Sequence, residues 1–572
     1  MDRLLFQRSA WSSAPLVLLL AACGVTDSRL PSATAPIVPE AAIEELFSEL
    51  GPETPGAAVA VLRGSQVVFA GGYGTADLST SAPVSSSTVF SLASVSKHFT
   101  AFAALLLEED GRLSLDDEVR KYIPELPDYG TPITLREMVG HTSGLRSVLQ
   151  LLGMTGLNPS DTITEEQVHE MVLRQKRLNF VPGERFSYSN SGYVLLAEVV
   201  ERASGVPFAE FTRQRILEPL GMNDSFVMTD PGESVEGLAR SYSFDGTSYT
   251  HVPADYSYGG STGLFTTLDD LAKWVANLDD PIEEHRALSR MEEVVSLNDG
   301  SATNYAMGLF VDQRNGQRFV HHAGSDAGYV AFVARFPEQD LTVALLANTT
   351  AINAQARALA VAELFLAAPP LPESAPPAAA STSEVTELSA EQMALHAGHY
   401  LDRTNYIARH VVERDGSLLY RRPEQGGRET VLEALGPAEF RMAGAPEVLV
   451  VFGGEPGARR MNVVVGGEVE ESFEEVSSLS LAARQLEALG GRYRSEELDV
   501  EYELAAAEGM LSVRVPRVGV VRLQAVGGDG FVGPGYPFQF LEWTREDGKI
   551  RGFTISSDRA RGVAFERVPA GE

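Results

Sequence analysis

The last third of the chain repeats itself. Gln392-Met393 and Gly398-His399-Tyr400 return as Gln485-Leu486 and Gly491-Arg492-Tyr493, 93 residues on. Phe473-Glu474-Glu475-Val476 returns as Phe565-Glu566-Arg567-Val568, 92 residues on. Between these ends lie short apolar runs at Val448 to Phe452, Met461 to Val465 and Leu511 to Val515, separated by glycine pairs and Asp-Gly turns. Such runs are strands too short to fold alone. Two copies of about 85 residues therefore predict two small antiparallel β-barrels (lipocalin-like), with a single twisted sandwich as the alternative.

The segment APPLPESAPPAAASTSE (368 to 384) sets this tail apart from a long N-terminal body. Proline-rich sequence of this kind is a semi-rigid spacer. The expected organisation is 1–22 signal peptide, 23–39 tether, 40–366 body, 367–387 linker, 388–478 first barrel and 479–572 second barrel. In the body, apolar periodicity predicts a short helix at 39 to 50 and longer ones at 97–109, 163–175, 192–203, 267–278 and 352–366. Strands are expected at 57–62, 66–70, 305–312, 318–322, 329–336 and 341–347. Strands from both ends of the body would form one antiparallel sheet flanked by helices, with the helical middle as a second lobe: an α+β architecture with a cleft between its parts.

The formal net charge is −32, from 46 basic and 78 acidic residues, and excludes a general nucleic-acid binder. The first residues carry Arg3 and Arg8, an apolar run too short to span a bilayer, and then Leu20-Ala21-Ala22-Cys23. Cys23 is the only cysteine. The segment resembles a bacterial lipoprotein signal, which implies lipidation at Cys23. Gly24 then implies an outer-membrane anchor facing the periplasm. Acylated Cys23 would leave no thiol for disulfides, thiolate catalysis or cysteine-ligated zinc.

Three motifs carry chemistry. Ser94-Val95-Ser96-Lys97 runs into the apolar helix HFTAFAALLLEE. Residues three apart share a helix face, so Lys97 stands beside the Ser94 hydroxyl. Partial burial would favour neutral Lys97, able to accept the Ser94 proton. Tyr188-Ser189-Asn190 lies on a polar loop before a helix. Tyr188 there can shuttle a proton, and Asn190 can hold Lys97 and a substrate carbonyl; alternatively Ser189 or Asn190 caps the helix. His322-Ala323-Gly324-Ser325 sits on a strand. Gly324 would let substrate lie against the strand edge. The N–H groups of Ser94 and Ser325 could form an oxyanion hole. His321 points to the other face and has no assigned role. A second His-Ala-Gly, at His396, reads as structural.

Together these motifs resemble the penicillin-recognising serine hydrolases: class C β-lactamases, D-Ala-D-Ala carboxypeptidases, D-aminopeptidases and related esterases. PGAAVAVLRGSQVVFAGGYGTAD, LREMVGHTSGL and GGSTGLFTTLDDLAKW match the same family. The resemblance implies a β-lactamase-like body, Ser94 as acylated nucleophile, Lys97 and Tyr188 in general acid/base roles, and Asn190, His322 and Gly324 at the substrate. It implies no cofactor and no metal. In this family His141, within HTSGL, packs its loop. Class C enzymes and carboxypeptidases usually have lysine where this chain has His322, which weakens an expectation of β-lactam hydrolysis or C-terminal trimming. His-x-G and paired barrels are similar to D-aminopeptidases. The expected function is hydrolysis of amide or ester bonds in D-amino-acid peptides or related small acyl substrates. The alternatives are a β-lactamase, D,D-carboxypeptidase or carboxylesterase, and a non-catalytic penicillin-binding-like sensor.

Overall fold

The computed structural model describes residues 39–157, 161–230, 234–282, 285–366, 385–422, 428–465, 467–527, 529–535 and 538–569. Cys23, the expected signal peptide and tether up to residue 38, and 367–384 of the expected linker lie outside the described residues. From Glu40 onward the described residues form one compact unit.

Six strands make the central sheet: β1 (Ala57–Arg63), β2 (Gln66–Tyr73), β3 (Phe310–Arg314), β4 (Gln317–Asp326), β5 (Tyr329–Phe336) and β6 (Leu341–Ala347). Their order is β3-β4-β5-β6-β1-β2, and every neighbouring pair is antiparallel. The chain ends of the body thus meet at β6–β1, where Ala57 pairs with Ala347. Every residue of β5 and β6 is buried, so the sheet is covered on both faces there; their sequences are apolar but for Thr342 and Arg335, and Arg335 is paired with Asp279 and Glu292. The N-terminal helix α1 spans Glu40–Leu46. Helix α2 (Lys97–Glu109) buries eleven of its residues, because AFAALLL is apolar on all sides. Each large side chain buried there contributes roughly 1.5–3 kcal/mol. Helices α3 (Asn190–Ser204), α4 (Leu268–Asp279) and α5 (Ala354–Glu363) lie close to their expected positions.

The expected strand at 305–312 is half wrong. Regular pairing starts only at Phe310, because Tyr305 turns inward and its hydroxyl bonds His322 Nε2 at 3.1 Å. The tail is two closed eight-stranded barrels, from Gly398 to Val476 and from Gly491 to Arg567. The sandwich alternative is excluded. The first barrel is filled by its own core, including Tyr400, Tyr420, Phe440 and Phe473. The interior of the second barrel belongs to one continuous apolar cluster with the body. A buried ion pair joins the two, Arg146 Nη1 to Glu497 Oε1 at 2.9 Å. Glu497 Oε1 also accepts the Lys176 backbone N–H at 2.7 Å.

Candidate active site

A short strand, Val89–Ser91, delivers the chain to the Ser94 turn. Ala93 follows in the left-handed region at φ 47°, a strained conformation for a residue with a Cβ. Ala93–Ser96 then form a 3₁₀ turn, and α2 begins at Lys97. Three residues per turn eclipse positions i and i+3, so Lys97 is set beside Ser94 more squarely than an α-helix would set it. Gly324 of β4 is the strand position packed on this turn. A Cβ added there would lie 2.3 Å from the Leu92 carbonyl oxygen. Its missing side chain thus serves contact between β4 and the Ser94 turn, where the sequence had suggested room for substrate.

Lys97 is fully buried. Its Nζ donates to Asn190 Oδ1 at 2.8 Å and to the Ser261 carbonyl at 2.7 Å, and stands 3.2 Å from Ser94 Oγ. A neutral amine has two N–H bonds and one lone pair. In the neutral amine the two acceptors take both N–H bonds and the lone pair is left for the Ser94 hydroxyl, whereas in the ammonium a third N–H takes that place. Burial drives the Lys97 pKa well below that of an ordinary lysine; the Arg559 cation lowers it further, and Asp326 opposes both.

Asn190 opens α3 but does not cap it, and Ser189, at the cap position, makes no side-chain cap bond. The loop is held by the His141 ring instead. His141 is buried at φ 57°, and its Nδ1 accepts the Ser189 N–H at 3.1 Å. The same ring lies 4.1 Å from the Tyr188 ring, centroid to centroid. Lys97 Nζ is 4.8 Å from the centroid of the Tyr188 ring. Burial raises the Tyr188 pKa above its ordinary value, with Ser94 acting in the opposite direction, so its hydroxyl keeps its proton at neutral pH.

His322 is 2% exposed. Its Nδ1 donates to the Ala323 carbonyl at 2.7 Å, which leaves Nε2 to accept from the Tyr305 hydroxyl. Burial, then His98 and Lys97, push its pKa well down, so the ring is neutral. Both nitrogens are used inside the protein, and the ring lies 6.1 Å from that of Tyr188, centroid to centroid. His321 pairs with Asp312 at 2.8 Å between the Phe310 and Phe319 rings. His396 bonds the Pro437 carbonyl within the first barrel.

Ser94, Tyr188, Asn190 and Ser325 line one cleft of about 690 Å³. One wall is apolar, formed by Leu149, Leu152, Leu157 and Ile163. Asp326, beside Ser325, also lines it; its carboxylate accepts from Thr262 Oγ1 at 2.9 Å, and burial raises its pKa. Two further lining residues, Asp558 and Arg559, come from the second barrel. Sequence reasoning missed these and Ser261. Ser261 lies in a segment whose family match was visible. Asp558-Arg559 reads as an ordinary polar turn, and only tertiary packing brings it to the cleft. Among the described residues no group of three or more His, Cys, Asp or Glu could hold a metal.

The family model described as Beta-lactamase matches residues 43–368. A D-aminopeptidase from Brucella anthropi is 25% identical over 538 residues, covering 90% of this chain and 95% of its own. Penicillin-binding protein 4* from Bacillus subtilis is 29% identical over 323 residues, covering 54% of this chain and 71% of its own. The octameric penicillin-binding protein homologue from Pyrococcus abyssi superimposes with a TM-score of 0.52 at 23% identity, over 84% of this chain and 98% of its own. That last likeness is one of fold.

Proposed function

The chain belongs to the beta-lactamase family, and on that premise we propose that it is a serine hydrolase that opens an amide bond on the carbonyl side of a D-amino-acid residue through an acyl-enzyme on Ser94. The observation that carries this reading is the hydrogen bonding of Lys97. Its Nζ is bonded to Asn190 Oδ1 and the Ser261 carbonyl and lies 3.2 Å from Ser94 Oγ, so the neutral amine has its lone pair left for the Ser94 proton.

In the first half-reaction Ser94 Oγ attacks the carbonyl carbon while its proton passes to Lys97 Nζ. The carbonyl oxygen becomes an oxyanion, for which the N–H groups of Ser94 and Ser325 are the proposed donors. The tetrahedral adduct collapses as the C–N bond breaks. The leaving nitrogen takes the Tyr188 hydroxyl proton, and the new Lys97 ammonium returns a proton to Tyr188. Water then repeats the sequence against the ester, freeing the acid and restoring Ser94. The D-amino-acid preference is supported by the D-aminopeptidase likeness, which runs through the barrels as well as the body. Asp326 in the cleft supplies an anion for the amino group of such a substrate.

Full-length wild type and Ser94→Ala are incubated with a fluorescent fluorophosphonate and followed by intact mass. Turnover is measured on D-Ala-p-nitroanilide, its L isomer, nitrocefin and a p-nitrophenyl ester. Labelling and D-anilide turnover in wild type, with loss of both by at least about 10³-fold in Ser94→Ala, are expected. A wild type that neither labels nor turns over any substrate refutes the proposal. Preference for nitrocefin or the ester would move the chain to a different hydrolase class.

A further inference from the structure

The strained residue before Ser94 is held by a side chain. The Ala93 N–H donates to Ser91 Oγ at 3.1 Å. Ser91 Oγ lies 3.1 Å from the Tyr256 hydroxyl, and that hydroxyl lies 3.4 Å from Thr262 Oγ1. Thr262 Oγ1 donates to Asp326 Oδ2 at 2.9 Å, and the Tyr256 hydroxyl also bonds the Asp326 carboxyl. Ser91, Tyr256 and Thr262 are all buried. The chain of bonds thus starts at the residue next to Ser94 and ends on the carboxylate that lines the cleft beside Ser325.

Its two ends fix its direction. An amide N–H can only donate, an ionised carboxylate can only accept, and each hydroxyl between them has one proton to give. Thr262 gives its proton to Asp326. Tyr256 gives its own to Thr262 or directly to Asp326, so Ser91 must donate to Tyr256. Every proton then points towards Asp326, and bonds aligned head to tail polarise one another. The backbone beside Tyr256 is pinned independently: the Ile163 N–H donates to the Asp255 carbonyl at 2.9 Å, and the Ser257 N–H to the Ile163 carbonyl at 3.1 Å. The Tyr256 ring packs near those of Tyr258 and Phe265. Its position is therefore set by backbone and ring, which leaves its hydroxyl for the chain.

We propose that Ser91 and Tyr256 are positioning residues of the site, and that the chain they form ties the strained Ala93 turn, and with it Ser94, to the charge of Asp326. This rests on the acyl-transfer reading above, in which Ser94 is the nucleophile. The carboxylate in the cleft then has a second duty: it anchors the turn from behind, through three hydroxyls that take no part in proton transfer to or from the substrate.

The test uses full-length protein and two readouts. Fluorophosphonate labelling is followed on its alkaline plateau, where Lys97 is neutral. Tyr256→Phe and Ser91→Ala should each slow labelling by at least about tenfold. The double variant should be no slower than the slower single variant, because one chain is broken once. Asp326→Asn should slow labelling in wild type and add nothing in the Tyr256→Phe background. The second readout is hydrogen–deuterium exchange by mass spectrometry over peptides containing Ala93. Its amide should exchange at least about tenfold faster in Tyr256→Phe, although the substitution is distant in sequence, while β5 and β6 keep their protection. Thermal melting confirms that each variant is folded. Wild-type labelling and exchange in Tyr256→Phe, or losses that multiply in the double variants, would overturn the proposal. A wild type that never labels would strike the hydrolase reading instead, and exchange at Ala93 would still judge the chain.

Discussion

At the scale of the residue, the site turns on the charge of Lys97. Its proton is opposed first by burial and then by Arg559, and favoured by Asp326. Activity should therefore rise with pH as Lys97 is neutralised, and the midpoint of that acid limb should report its pKa. The two neighbours predict opposite shifts. Arg559→Gln removes a repelling cation, raises the Lys97 pKa and moves the limb to higher pH. Asp326→Asn removes an attracting anion, lowers the Lys97 pKa and moves the limb to lower pH. Profiles of kcat/KM on D-Ala-p-nitroanilide distinguish these outcomes; shifts of the same sign in both variants would remove Lys97 as the titrating base. Much of this site was legible in the residues themselves. Ser94, Lys97, Tyr188 and Asn190 were named by motif, and the structure brings them together. His322 was legible as a position, but not the partners of its ring. A histidine on a strand gives no local sign of which atoms will occupy its two nitrogens. Here a neighbouring carbonyl and a distant tyrosine do so.

At the scale of the element, the contact between β4 and the Ser94 turn fixes the position of Ser94, the proposed nucleophile. Gly324 allows that approach, since an added Cβ would meet the Leu92 carbonyl at 2.3 Å and the Ala93 Cβ at 3.2 Å. Backbone atoms cannot rotate aside as a flexible side chain can. Gly324→Ala should therefore push β4 from the turn, at roughly 1–3 kcal/mol of stability. The larger effect should fall on geometry, because displacement by a fraction of an ångström separates Ser94 from Lys97. Fluorophosphonate labelling is expected to slow by at least about tenfold while the melting transition remains cooperative. Labelling at the wild-type rate would show that the turn keeps its shape without this contact. Element positions were readable wherever one pattern dominated: α2, β5 and β6 are mostly apolar and fall within a residue of expectation. The segment 305–312 failed because it reads as one apolar run, yet Tyr305 is taken by His322 and a glycine at φ 82°, Gly308, interrupts the run.

At the scale of the whole molecule, the 92- to 93-residue repeat revealed two barrels but not their unequal duties. The first has a closed core of its own, whereas the second shares its core with the body and sends Arg559 to the cleft. The groups that join the second barrel to the body are far apart in sequence: Arg146 and Glu497 are separated by 351 residues. Neither carries a local signal of pairing. In the structure their side chains are 1% and 8% exposed, and Gln175 Oε1 joins Arg146 Nη1 at 3.2 Å. Removing one partner leaves a buried charge uncompensated, whereas replacing both with apolar side chains removes the burden of desolvation as well. Glu497→Ala should thus destabilise the native protein by about 3–5 kcal/mol. It should also remove the acceptor for the Lys176 N–H and weaken the seat of the second barrel. Arg146→Met with Glu497→Met should recover much of that loss. Denaturant midpoints give the stability difference. The acid limb of the kcat/KM profile gives the second readout, because a loosened barrel carries Arg559 away from Tyr188 and Lys97 and the limb then moves to higher pH. If the ion pair only stabilises, the double variant regains stability and the wild-type limb together. If it also sets the position of the barrel, stability returns and the wild-type limb does not. A Glu497→Ala protein with wild-type midpoint and a wild-type limb would show that the apolar contacts alone seat the barrel.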